Sequence, residues 1–187
     1  MEKTRLTSPD LLDILRWHID RYDRLRASTS TRASILLSAS SVVVTGMILL
    51  ANYRLQLKEV HPIGPLDVAL AVTLALTAAL TLGSIQNCVN AIAARKTTRS
   101  LHDGEIPNRF LFNWGDTRRT VDGYSSFKEE VTSLSIESMI GNATAELWSD
   151  ILQHADRHKY LRRGISLFRY GVSTFLIFAA LTLAALR

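Results

Sequence analysis

Arg109, Phe110, Phe112, Trp114, Arg118 and Arg119 fall in one short stretch, the densest mixture of aromatic rings and cations in the chain. Aromatic faces stack on nucleobases and guanidinium groups pair with phosphate in a bidentate manner, so this combination of types suits a nucleotide. It also suits a membrane surface, where Trp and Arg gather at the level of the lipid headgroups. On composition alone the membrane-surface reading is the stronger of the two.

A second group, Asp150, His154 and His158, recurs every fourth position. Two histidines four apart on a helix can share a metal ion. No third ligand accompanies them, and Arg157 and Lys159 crowd the same turns with positive charge. A solvated or anion-facing surface is therefore expected there, not a metal site. No P-loop, glycine-rich dinucleotide turn or Gly-x-Ser-x-Gly elbow occurs in the chain, so the motifs that carry common catalysis are missing. The chain reads as a non-enzyme that needs no cofactor.

These groups must be positioned by a chain built largely for lipid. Three stretches, 33–53, 68–94 and 170–186, contain no Asp, Glu, Lys, Arg or His. A helix needs about 20 such residues to cross a bilayer, with about 17 as the lower limit. The first two clear that requirement and the third meets it narrowly. Hydroxyls are scattered through them, including Ser38, Thr45, Thr77, Thr81 and Thr174, and their default role is to bond a carbonyl one turn back. The absence of an ionisable group at depth argues against a pump. Hydroxyls and small residues remain compatible with a pore lined by several chains. Cys88 lies in the second stretch and reads as a small buried apolar residue.

The 187 residues leave room for three spans and one small water-facing region, and the net charge is +5. Lys and Arg gather beside particular span ends: Arg24, Arg26 and Arg32 before the first, Arg95, Lys96 and Arg99 after the second, Arg162, Arg163 and Arg169 before the third. Such residues mark the cytoplasmic side. The N-terminus and the long middle region are thus expected in the cytoplasm, with the short loop 54–67 and Arg187 outside. The start of the chain stays polar for about 30 residues, too long for the charged region of a cleaved signal peptide, so the first span reads as a retained signal anchor.

Ser8-Pro9-Asp10 has the composition of a helix start. Leu11, Leu15, Ile19, Tyr22 and Leu25 then recur at helical spacing, which predicts an amphipathic helix over 11–26. Residues 27–32 read as a hinge or as a continuation into the first span. His61-Pro62-Ile63-Gly64-Pro65 is the clearest turn and makes the first two spans an antiparallel hairpin. Ala71, Ala75, Ala79 and Gly83 form a small-residue stripe at four-residue spacing, a candidate interface between copies of the chain. The second helix is expected to run on past the membrane, residues 102–108 to form a loop, and the helical pattern to resume at Ser125 with a break near Gly141-Asn142. Leu147, Ile151, Ala155, His158, Leu161 and Ile165 form a stripe that leads into the third span. A helix over 143–186 would be about 65 Å long at about 1.5 Å per residue, so its first half must stand outside the bilayer.

The expected fold class is an all-α membrane protein, with three transmembrane helices continuous with a membrane-proximal cytoplasmic helical bundle. The expected organisation is an N-terminal cytoplasmic amphipathic helix over 1–32, then a transmembrane hairpin over 33–94 with spans 33–53 and 68–94. A cytoplasmic bundle region over 95–166 would do any sensing, and a third transmembrane helix would occupy 167–187.

The order of these features resembles one known family over nearly the whole chain. The carriers are the opening of the first span, Ser30-Thr31-Arg32-Ala33-Ser34-Ile35-Leu36-Leu37, then Phe110-Leu111-Phe112-Asn113-Trp114-Gly115-Asp116. The last is Leu152-Gln153-His154-Ala155-Asp156-Arg157-His158-Lys159-Tyr160. This layout resembles the transmembrane effectors of Pycsar antiphage systems, which share the three spans, an aromatic-Gly-acid patch between spans two and three, and a Lys-Tyr pair ahead of the last span. The family's first span usually opens on an Asp-x-Lys-Ala-like pattern. Ser30 and Arg32 stand in those places here, so the acidic group is missing.

The resemblance implies a multi-pass protein of the cell inner membrane that senses a cyclic pyrimidine nucleotide, cyclic UMP or cyclic CMP, made by a partner cyclase. It would then disrupt the membrane and cause abortive infection. A cyclic nucleotide has one phosphate charge and one flat base, so its pocket needs a cation and a ring. Arg109, Phe112 and Trp114 offer both, Asp116 is the acid of the family patch, and His154, Arg157 and Lys159 would form a second wall. No nucleic acid polymer is implied. A lone hairpin with a third span has no polar lumen, so a homo-oligomer packed through Ala71, Ala75, Ala79 and Gly83 is expected. The alternative is a membrane-anchored scaffold or assembly subunit whose cytoplasmic bundle binds a protein partner.

Overall fold

The computed structural model describes residues 7–57, 64–93 and 106–184. Five helices follow one another: α1 Ser8–Leu57, α2 Pro65–Ala93, α3 Trp114–Thr120, α4 Tyr124–Ser133 and α5 Ile136–Ala184. No strand occurs among the described residues. Helices α1, α2 and α5 are each long and apolar enough to cross a membrane. The chain is thus an all-α membrane protein with three membrane-length helices. Much of the expected turn at 61–65, and the stretch where α2 was expected to extend past the membrane, lie outside the described residues.

Local chemistry sets the helix ends. Thr7, and not Ser8, occupies the cap of α1: its hydroxyl accepts from the Asp10 amide at 3.4 Å and also bonds the Asp10 carboxylate. The start predicted from Ser8-Pro9-Asp10 is therefore displaced by one residue. Pro65 opens α2, where its missing N–H costs nothing, and the Asp67 carboxylate reaches back to accept the Gly64 amide at 3.2 Å. Ser135 starts α5 by accepting the Ser138 amide at 3.1 Å.

Of the two alternatives for residues 27–32 the continuation holds, and the break expected near Gly141-Asn142 is absent. Residues 27–32 continue α1 without a hinge, and α5 passes through Gly141 and Asn142. A Gly in a helix costs about 1 kcal/mol relative to Ala. Here neighbouring contacts outweigh that cost: Ala143 and Ala145 are buried, and the Asn142 amide approaches the Phe110 carbonyl at 3.5 Å.

The chain divides into two compact units, Met1–Ser28 with Ala94–Asp156, and Thr29–Ala93 with Arg157–Arg187. The divisions at 28/29 and 156/157 fall inside unbroken helix.

The second unit holds the apolar parts of α1, α2 and α5. Ala33, Cys88, Ala91 and Leu161 form its buried apolar cluster, flanked by Leu36, Leu37, Ile92 and Tyr160. Helices α2 and α5 run antiparallel along a seam of small and hydroxyl residues. Thr77 donates to the Thr174 hydroxyl at 3.0 Å, and Ser84 donates to the Gly164 carbonyl at 2.9 Å. Glycine allows the close approach at two α5 positions, where a side chain would be crowded. A Cβ on Gly164 would lie 3.1 Å from the Cys88 sulfur, and one on Gly171 would lie 3.2 Å from the Thr81 hydroxyl. Close backbone approach through small residues is how helices associate where lipid removes the hydrophobic drive. Large apolar side chains such as Ile35, Val42, Leu82 and Leu176 point outward, each more than 60% exposed. That is an arrangement for a lipid solvent and not for water.

The sequence stripes follow different faces from those expected. A side chain every fourth residue advances by about 40° per step around a helix of about 3.6 residues per turn. The series from Leu147 through Ala155 and His158 to Ile165 mixes steps of three and four, which cancel, so it stays on one side of α5, but that side is rotated away from the buried one. Ala155, His158 and Ile165 are exposed, while Ala143, Glu146, Ser149, Asp150, Leu161, Gly164 and Gly171 form the buried line. Drift does split the α2 series, whose members are all four apart. Ala71, Ala75 and Ala79 face outward, whereas Gly83 turns toward α5, its Cβ position 3.2 Å from Leu167.

Candidate functional site

The first unit is organised around two partly buried arginines, Arg109 and Arg26. Phe110 leaves the aromatic stretch for the interior and is 2% exposed, packing on Phe127 of α4 with ring centroids 6.0 Å apart. The chain then turns sharply. The Arg109 carbonyl accepts from the amides of Phe112 and Asn113. Leu111 adopts φ 70°, a left-handed conformation uncommon for a branched side chain. The Leu111 amide is satisfied by the Thr117 hydroxyl at 3.0 Å. Asn113 then caps α3, accepting the amides of Gly115 and Asp116 at 3.0 and 3.2 Å. The result fixes Arg109 and Asp116 side by side.

Arg109 Nε donates to Asp116 at 2.8 Å, and its Nη1 donates to the Ser149 hydroxyl at 2.9 Å. The same Nη1 lies 3.1 Å from Glu146 Oε2. That oxygen is buried and forms no aligned hydrogen bond, so Glu146 is held by charge. Nearby, Arg26 of α1 pairs with Asp150 and, at 3.2 Å, with Asp23. Burial pushes the Glu146 carboxyl up to about 7; Asp150 one turn away adds to the rise, and Arg109 and Arg26 oppose it. Asp150 is also raised, chiefly by burial, with Arg26 opposing. Two guanidinium groups thus face four carboxyl groups, which gives the network an excess of potential negative charge.

Of the residues singled out in the sequence, Arg109 and Asp116 are brought together, but as partners of one another. Phe112 is partly covered, and Trp114 stands 78% exposed at the start of α3, with Arg118 exposed one turn on. His154 packs against Tyr22 of α1, ring centroids 5.8 Å apart. Asp150, considered above with His154 and His158, is the partner of Arg26. Arg157 and Lys159 lie further along α5, in the second unit.

Sequence reasoning missed Glu146, Ser149, Arg26 and Asp23. A signal was present: Glu146, Ser149 and Asp150 stand at i, i+3 and i+4, on one helix face, beside Ala143 and Ala145. Polar groups set among small buried residues demand buried partners.

A family model described as the Pycsar effector protein domain matches residues 14–185. No curated protein and no solved structure matches the chain.

Proposed function

Since the chain belongs to the Pycsar effector protein family and is thus an antiphage effector of the membrane, we propose that its first unit senses a cyclic pyrimidine nucleotide and that its three long helices answer by breaching the bilayer. The observation that carries this reading is the extent of the family match, which takes in both the membrane-length helices and the aromatic-cationic segment. Trp114 is the stacking platform, since it is the ring of the aromatic-cationic segment most open to an incoming base, and arginines of the same segment hold the phosphate. Helices α1 and α5 each pass unbroken from one unit into the other, so a change in the first unit has a continuous route into the membrane helices. Discrete repacking of helices is a known switching mode. Several copies must cooperate, because no ionisable side chain occurs within the three apolar stretches and a single copy offers no polar lumen.

The purified protein in liposomes loaded with a self-quenched dye should release it when cyclic UMP or cyclic CMP is added, and retain it with cyclic AMP. Leakage indifferent to nucleotide, with no nucleotide bound at micromolar concentration, would leave the scaffold reading in its place.

The bias of Lys and Arg supports a cytoplasmic N-terminus, with the end of α5 on the outer side of the inner membrane. A reporter enzyme active only in the cytoplasm should work when joined after Gly123, in the turn ahead of α4, and be silent when joined after Arg187. Activity at both junctions would rule out three crossings.

A further inference from the structure

We propose that Glu146 is an internal competitor for the guanidinium of Arg109, a carboxylate that occupies the anion position on that arginine until a phosphate displaces it. The proposal rests on the reading that the first unit binds a cyclic nucleotide, and it names the regulation of that site.

Arg109 has two carboxylate partners of unlike kind. Asp116 belongs to the same short segment and makes an aligned bond of 2.8 Å, so it travels with Arg109. Glu146 comes from α5, lies 3.1 Å away, and makes no aligned hydrogen bond. It therefore has the least to lose when another anion arrives. A phosphate offers oxygens that a guanidinium can take in pairs.

The groups around Glu146 come from each packed element. Helix α1 supplies Asp23 and Arg26, and the aromatic segment with α3 supplies Arg109 and Asp116. Arg119 lies 3.9 Å from Asp116, and α5 itself supplies Ser149 and Asp150. With every carboxyl ionised this neighbourhood repels an anion. With Glu146 neutral, Arg109 keeps one carboxylate and one hydroxyl, and its charge becomes available. Anion affinity should therefore rise as pH falls through about 7, where Glu146 takes up its proton. Stability follows the same sign. The folded-state value lies above the ordinary one of 4.5, so the stability contributed by Glu146 is fully present below that value and lost as pH rises through about 7.

The full chain in detergent serves for the test, with millimolar sulfate as probe because its charge is constant between pH 6 and 8, and cyclic UMP and cyclic CMP alongside. Wild type should bind sulfate more tightly at pH 6 than at pH 8. Glu146→Gln, which keeps the shape and removes the charge, should bind about tenfold more tightly than wild type at pH 8, as expected when a like charge beside the anion is removed. It should also lose the pH dependence and melt higher than wild type at pH 8. Glu146→Ala provides a second neutral variant, expected to show the same loss of pH dependence. Equal sulfate affinity of wild type at both pH values, with neither variant binding more tightly at pH 8, overturns the competitor role. A gain in sulfate affinity without binding of either cyclic nucleotide leaves that role standing and removes the nucleotide reading instead.

Discussion

Arg109→Ala is expected to destabilise the protein by roughly 3–5 kcal/mol, the cost of removing one partner from a buried ion pair, while Trp114→Ala leaves the fold nearly intact. The two residues entered the sequence analysis as equals, a cation and a ring for one ligand. Their surroundings separate them. The Arg109 side chain is 12% exposed and answers Asp116, Glu146 and Ser149 at once. Without it Glu146 loses its ion-pair partner and Asp116 keeps only Arg119, 3.9 Å away. The Trp114 ring meets mostly solvent, so its removal should show in binding, by about 1–3 kcal/mol for a lost stacking contact. The loss in Arg109→Ala should also depend on pH. Arg109 lowers the Glu146 pKa, so its removal raises that value further, and the variant escapes part of its penalty by protonating Glu146. Melting in detergent should therefore show a larger deficit at pH 8 than at pH 6. A deficit equal at the two pH values would mean that Glu146 is not the group left exposed to the loss. A Trp114→Ala protein that melts as low as Arg109→Ala would mean that the ring is structural.

The long helices were legible because the apolar runs are uninterrupted and the lipid solvent leaves few alternatives for them. Their faces were not legible, because small residues and hydroxyls suit a helix seam and a lipid-facing surface almost equally. Gly164 and Gly171 lie seven apart, opposite Ser84, Cys88 and Thr81, and only the pairing of α2 with α5 turns that spacing into a seam. The continuity of α5 through Gly141-Asn142 was hidden for a related reason: local propensity favours a break there, and the contact that opposes it comes from Phe110, thirty-two positions earlier. In the candidate site, residue types were informative and roles were not. Arg109 was marked as a cation in an aromatic segment. Two of its three partners, Glu146 and Ser149, sit on α5, a helix whose sequence spacing pointed to a different face.

Gly164→Leu and Ala75→Leu should separate the fold of one copy from the assembly of several. At Gly164 even a Cβ would stand 3.1 Å from the Cys88 sulfur and 3.4 Å from the Ser84 carbonyl oxygen. A leucine there has to push α2 away from α5 and break the bond from Ser84 to the Gly164 carbonyl. Overpacking of this kind costs about 1–3 kcal/mol, occasionally more, and the lost hydrogen bond adds roughly 0.5–1.5 kcal/mol. The variant should unfold at a lower denaturant concentration in detergent, whatever its oligomeric state. Ala75 points outward from α2, so a leucine there meets nothing in its own chain and should leave unfolding unchanged. If copies associate along Ala71, Ala75 and Ala79, Ala75→Leu should lower the mass measured by light scattering and abolish dye release together. Gly83→Leu cannot make this distinction, because Gly83 faces Leu167 of the same chain and the change would disturb fold and assembly at once. Full mass and full leakage in Ala75→Leu would remove the alanine face as an interface, and unchanged unfolding in Gly164→Leu would mean that α2 and α5 do not meet along the glycine seam.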